Sequence, residues 1–381
     1  MTAIYADKFF LPDQETGPGY LTIEGQYFGE FSQTPPAEEE VINYSGYQIA
    51  PGYVDTHIHG YGGADVMDLN PQALETISKG IPANGVTSYL ATTLTASKED
   101  LDQACQLIGQ YKDQLPGAKI AGIFLEGPFF SEKYKGAQNP AYMSDPQISD
   151  LADWQALSKG VVKKIAIAPE RSGALEFIDY AKDQGIYVAI AHTDATFDQC
   201  QAAVDHGANI FVHEFNGMKG IHHREPGTAG AGLVLDNVFA EMICDGFHLH
   251  PAIAKLITKA RGVNESVLIT DCMRGGGIGE GESRLGEFPV YIKDGAARLK
   301  SDNHLAGSVL TLAKAVQNMV AWGIVSPAQA IKMASYVPAA SVGLADQCGQ
   351  IAPGRLADFI VLDKDLAVKA TYINGQEFYQ S

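Results

Sequence analysis

Positive charge is scarce in this sequence. Its 381 residues carry 27 Lys and Arg against 45 Asp and Glu, a formal net charge of −18. A field of that sign repels nucleic acid and anionic membrane surfaces, so neither is expected as a partner. It also repels a phosphorylated substrate, which would need a local basic anchor. Cysteine is equally sparse. Cys105, Cys200, Cys244, Cys272 and Cys348 are scattered, odd in number and form no C-x-x-C pair, which excludes a disulfide scaffold and fits reduced thiols in a cytosol. No apolar run approaches the roughly 18 residues that a membrane span needs. The Met1 end lacks the basic and apolar regions of a secretory leader, so a cytoplasmic location is expected.

What is present is a large apolar fraction, 46%, enough for a sizeable core. Residues 1–50 read as short strands between turns such as Gly17-Pro18-Gly19 and Thr34-Pro35-Pro36. From about residue 51 to 345 the texture changes. Strand-length apolar runs recur at 53–58, 86–92, 120–126, 164–168, 187–192, 209–213, 238–244 and 267–271. Segments with helical spacing, among them 71–84, 97–112, 172–184 and 196–206, lie between them. Eight such units predict an α/β fold, a (β/α)8 TIM-type barrel, with a doubly wound sheet as the alternative. Residues 286–300 read as an inserted hairpin turning at Asp294-Gly295. After residue 345 short strands return, so residues 1–50 and 346–381 are expected to form one small β-sandwich domain.

The chemistry-bearing side chains fall at the ends of the apolar runs. His57 and His59 alternate onto one face of the first run; Glu126 ends the third. His192, His213 and Asp271 close later runs, and His248 follows another. In a parallel barrel all strand C-termini open on one face, so these groups would converge. Imidazole and carboxylate are the donors that Zn2+ and related ions take. Such an ion acidifies water for attack on a carbonyl, and a neighbouring carboxylate can shuttle the proton. Each residue also has a plainer reading: a lone His at a strand end is commonly structural, Glu126 before Gly127-Pro128 can anchor a turn, and Asp271 can cap a helix. Only their joint placement favours a metal centre.

The segment Pro51 to Gly60, with Asp55, His57 and His59, resembles the opening of the amidohydrolase superfamily barrel. Leu125-Glu126-Gly127-Pro128, His213 to Met218, Arg224-Glu225-Pro226-Gly227, Asp245-Gly246-Phe247-His248 and Thr270-Asp271, in this order, resemble the N-acetylglucosamine-6-phosphate deacetylases. The tail Gly349 to Asp358 matches as well, so the resemblance spans nearly the whole chain.

The resemblance implies that Glu126, His192 and His213 hold a principal metal and that Asp271 is general base, then acid. It implies that His248 orients and polarises the amide carbonyl. Ala137, Gln138, Asn216, Gly217, Leu305, Ala306 and Gly307 would contact substrate, and Arg224 would grip its phosphate through a bidentate fork. His57 and His59 leave room for a second ion bridged by Glu126. One or two divalent ions are therefore expected, Zn, Fe or Mn, and a homodimer. Relatives often carry His where Gln138 stands and Ala where Gly217 stands. Two alternatives stay open: an amidohydrolase acting on a cyclic amide or another N-acyl sugar, and a non-catalytic binder of amino-sugar phosphates.

Overall fold

The apolar runs fold as eight parallel strands: β1 Tyr53–Ile58, β2 Val86–Thr92, β3 Lys119–Glu126, β4 Val162–Ile167, β5 Tyr187–Ile190, β6 Ala208–Phe211, β7 Phe239–Ile243 and β8 Ser266–Ile269. The computed structural model describes residues 2–12, 14–37 and 40–381. Met1, Asp13, Glu38 and Glu39, all within the terminal stretch read as short strands, lie outside the described residues. Each strand pairs with the next in chain order. The ring closes where Cys272 bridges in parallel to Ile58 and Asp271 N donates to His57 O at 2.9 Å. That contact between the first and last strands rules out the doubly wound sheet.

One helix follows each strand, α1 Pro71–Gly80, α2 Lys98–Tyr111, α3 Ile148–Leu157, α4 Ala174–Asp183, α5 Phe197–His206, α6 Gly227–Val234, α7 Pro251–Arg261 and α8 Leu312–Ala321, and α9 Pro327–Ala334 and α10 Tyr336–Ser341 come after them. Their starts are written in the sequence. Ser97 caps α2 by accepting from Asp100 N, and Thr196 forms a reciprocal capping box with Gln199 before α5. Ala174, Phe177, Ile178 and Ala181 place the apolar stripe of α4 in the core at three- and four-residue spacing. Because helices cover the outside and side chains fill the inside, β1 and β2 are buried at every position. Among the described residues, no helix is long and apolar enough to cross a membrane.

Three expected strands end two residues early. The runs read as 187–192, 209–213 and 267–271 stop at Ile190, Phe211 and Ile269. Just beyond them, His192, His213 and Asp271 take φ of 45°, 32° and 50°, where a strand cannot continue.

The expected hairpin gains a third strand. Gly281–Leu285, Phe288–Lys293 and Ala296–Leu299 form an antiparallel sheet. Asp294 and Gly295 sit at φ 51° and 80°, as a two-residue hairpin turn requires. Both chain ends share one mixed sheet, in which Glu40–Pro51 pairs in parallel with Thr2–Phe10 and antiparallel with Phe359–Leu362. Phe28 N donating to Arg355 O, and Ala357 N to Gln26 O, draw the far edge back. The sheet thus curls over a core containing Phe9, Leu21, Phe28, Ile49, Phe359 and Tyr372.

Candidate active site

Positive φ at His192, His213 and Asp271 costs on the order of 1–3 kcal/mol per residue, strain that persists only where surrounding structure enforces it. Here it turns three side chains across the C-terminal mouth of the barrel toward Glu126 at the end of β3. His192 Nε2 and His213 Nε2 lie 3.4 and 3.3 Å from Glu126 Oε1. On the other side, His57 Nε2 is 3.4 Å from Glu126 Oε1 and His59 Nε2 is 3.2 Å from Oε2. Asp271 Oδ1 completes that second group, 3.4 Å from His57 Nε2 and 3.1 Å from His59 Nε2.

Two buried donor sets result, Glu126 with His192 and His213, and His57 with His59 and Asp271, each with its donor atoms within 4.8 Å of one another. Glu126 faces both. The backbone fixes ring orientation in the first set. His192 Nδ1 meets Tyr134 O at 2.9 Å and His213 Nδ1 meets Asn216 O at 3.0 Å. A carbonyl only accepts, so each Nδ1 carries the proton and each Nε2 presents a lone pair to the centre. That donor chemistry fits a divalent cation.

The electrostatics agree. Burial would raise Glu126, but the charge on His57 and the close approach of the His192, His213 and His57 rings outweigh it and hold the carboxyl well below its usual range. Burial likewise opposes, and His57 and His59 produce, the depression of Asp271. Burial lowers His57, but Glu126 and Asp271 more than compensate and lift it to about 9. The carboxylates therefore favour positive charge on the His57 and His59 side of the site, whereas burial lowers His213. A divalent ion supplies the same charge through the same atoms.

The groups open into a cavity of about 140 Å3. His248 reaches it with Nδ1 held by Asp245 Oδ2 at 2.7 Å. Ala137, Gln138, Asn216, Gly217, Leu305 and Gly307, the positions that the resemblance assigns to substrate, line it. Ala306 does not: it is buried behind the wall in the cluster holding Met273 and Leu299, with its N–H given to Ala297 O. Arg224 is also absent from the wall. It lies exposed on the loop before α6, its guanidinium 2.7 Å from His223 Nε2, because that loop is held by its own His222–Glu225 pairing.

Gln138 is more constrained than a sugar-binding amide. Its oxygen accepts from Thr95 N at 2.8 Å and its NH2 donates to Glu126 Oε2 at 2.7 Å. Both ends are engaged, so it orients the Glu126 carboxylate. Gly217 is hemmed in by a proposed ligand rather than open to the cavity at its Cβ position. A Cβ there would come 2.9 Å from His192 Nδ1, on a backbone with φ +59°.

Some residues escaped sequence reasoning. Asp55 accepts from His57 N at 3.2 Å and Thr270 Oγ1 at 2.6 Å, stitching β1 to β8 beneath the mouth. Lys164 and Glu241 pair inside the barrel with no exposure. The available signal was a charged residue within the apolar runs of β4 and β7.

The amidohydrolase family profile matches residues 49–378. The chain is 40% identical over 338 residues to an N-acetylglucosamine-6-phosphate deacetylase of Vibrio furnissii, covering 88% of this chain and 84% of the relative. It is 39% identical over 349 residues to an N-acetylgalactosamine-6-phosphate deacetylase of Escherichia coli O157:H7, covering 91% and 92%. Among solved structures, a mutant N-acetyl-D-glucosamine-6-phosphate deacetylase of Mycobacterium smegmatis, in complex with N-acetyl-D-glucosamine-6-phosphate, superposes with a TM-score of 0.94 at 34% identity, covering 100% of this chain and 99% of that one. Closed barrel, paired donor sets and sequence identity across nearly the full length agree: this chain belongs to the amidohydrolase family, among its N-acetylglucosamine-6-phosphate deacetylases.

Proposed function

We propose that the protein hydrolyses the acetamide of N-acetylglucosamine 6-phosphate, giving glucosamine 6-phosphate and acetate in amino-sugar catabolism. The observation that carries this reading is the pair of buried donor sets, with Glu126 facing both, in the wall of one cavity. Glu126, His192 and His213 would hold the principal ion (Zn2+, Fe2+ or Mn2+), and His57, His59 and Asp271 offer a place for a second. Such an ion, when bound, acidifies water and polarises a carbonyl.

The chain's own groups do the rest. Asp271 takes the proton of the attacking water and returns it to the departing nitrogen. Asp245 accepts from His248 Nδ1, leaving Nε2 as the ring's free nitrogen; in the protonated ring its N–H donates to the carbonyl oxygen as charge develops there. Asn216, the Gly217 backbone, Ala137, Leu305 and Gly307 shape the sugar site, with Gln138 and Ala306 supporting it from behind. Arg224 anchors the phosphate in this reading. In the single chain it stands outside the cavity, so its loop must move or a second copy must supply the cation. A homodimer in the cytoplasm is part of the proposal, as is a division into a β-domain of residues 1–50 with 346–381 and a barrel of 51–345.

The likeness to the N-acetylgalactosamine-6-phosphate deacetylase favours a second reading, in which the C4 epimer is also a substrate. Measuring acetate and free amino-sugar phosphate from both epimers, and from unphosphorylated N-acetylglucosamine, tests both. The phosphorylated glucosamine derivative should turn over. Loss of the phosphate should cost about 10- to 100-fold in kcat/KM, the worth of a charge-assisted contact. No acetate from the phosphosugar would defeat the proposal. A kcat/KM for the galactose epimer matching or exceeding that for N-acetylglucosamine 6-phosphate would favour the second reading.

A further inference from the structure

The imidazole of His57 has two faces with different company. Nε2 faces Glu126, His59 and Asp271, while Nδ1 points the other way, 3.5 Å from Glu241 Oε2. Neither of those two buried atoms makes a hydrogen bond to any other group, so each is the nearest polar atom left to the other. The opposite oxygen of Glu241 is engaged from two sides. Lys164 Nζ forms an ion pair with it and Thr56 Oγ1 donates to it at 3.4 Å. Lys164 also lies 3.8 Å over the ring of Phe124, which in turn stands edge-on to His57 at 4.9 Å and 89°. His57, Lys164 and Glu241 come from β1, β4 and β7, and none is exposed.

A wholly buried Lys–Glu pair is a poor device for stability. Desolvating both charges offsets their attraction, and apolar residues of similar volume serve at least as well. Its placement suggests a different use. His192 and His213 have their Nδ1 protons fixed by backbone carbonyls, as described above. No carbonyl plays that part for His57. Glu241 is the acceptor available, and Lys164 keeps it charged where water cannot.

We propose that Lys164 and Glu241 form a positioning pair for His57: Glu241 accepts the Nδ1 proton, so the Nε2 lone pair is held toward His59 and Asp271 and makes that set a competent second cation site. A carboxylate behind a ligating imidazole fixes its tautomer and raises its basicity. The inference rests on the metal reading of the site and concerns one of its two ions. The two donor sets should therefore respond differently when the pair is disturbed.

The test strips the protein with a chelator and titrates Zn2+ back against a competing chromophoric chelator, following ions bound per chain in the wild type, Glu241→Gln and Glu241→Asp. The Asp variant keeps the charge opposite Lys164 but is one methylene shorter, so it carries the test if the Gln variant fails to fold. The expected result is two binding steps in the wild type. In both variants the weaker step loses about 10- to 100-fold in affinity, the usual cost of removing a partner behind a metal-ligating His, and the tighter step is unchanged. Visible absorption of the second Co2+ equivalent should shift in the same variants. Unchanged titrations, or equal weakening of both steps, would overturn the proposal. So would a wild type that binds a single ion at saturation, although acetate release by that protein would leave the deacetylase reading standing.

Discussion

Asp271 belongs to the donor set of His57 and His59, its Oδ1 3.1 Å from His59 Nε2 at the cavity wall, and the proposed mechanism makes it the proton acceptor. Asp271→Asn keeps the shape and removes the proton acceptor. Turnover should fall about 10^2- to 10^4-fold, the usual worth of a positioned acid–base group, with the ion at Glu126, His192 and His213 retained by metal analysis. Near-normal turnover would remove Asp271 from the mechanism. Asp245→Asn should lower kcat about tenfold or more by releasing His248, the scale of losing a charge-assisted hydrogen bond, without changing metal content; equal rates would show that His248 needs no such anchor. At this scale the sequence was legible wherever a polar group interrupts or ends an apolar run. Glu126, His192 and His213 could be read that way, and the structure brings them together. Lys164 and Glu241 interrupt their runs in the same way, but that they pair with each other, 77 positions apart, is set only by the closed barrel. The positions of Ala306 and Arg224 could not be read either, since they depend on how two loops fold on themselves.

Strand ends, helix starts and turns form the next scale. Caps and the Asp294-Gly295 turn were readable because short-range chemistry dictates them. The early ends of β5, β6 and β8 were not, since apolar residues continue to the ligands while the backbone turns to φ values that only the finished site enforces. The strand Gly281–Leu285 was missed because its composition is polar and its edge exposed. One packing contact supports a prediction. α6 lies against the buried carboxyl of Glu214, and a Cβ on Gly232 would collide with it. Burial raises that carboxyl well above its usual range, with Arg261 only partly opposing, so there is no solvent for it to retreat into. Gly232→Ala should destabilise by about 1–3 kcal/mol, the cost of overpacking a dense interior, seen as a lower thermal midpoint. An unchanged midpoint would mean α6 can slide.

For the whole molecule, eight repeated units argued for a barrel, but periodicity alone left the doubly wound sheet open. The bridge from Cys272 to Ile58 decides it, a contact between residues over 200 positions apart that no local signal reports. Closure is also what crowds five imidazole and carboxylate groups around Glu126, so in the proposed reading folding and metal binding are coupled. Removing the ions should lower the thermal midpoint, and an ion at 100 times its Kd should restore about 2.7 kcal/mol; identical melting with and without chelator would deny the coupling. The most direct measurement follows glucosamine 6-phosphate formation while a divalent ion is returned stepwise to chelator-stripped protein. Activity should start near zero and climb in step with the ions bound. Full turnover by the stripped protein, or none by the fully loaded one, would contradict a metal-centred amide hydrolysis at this site.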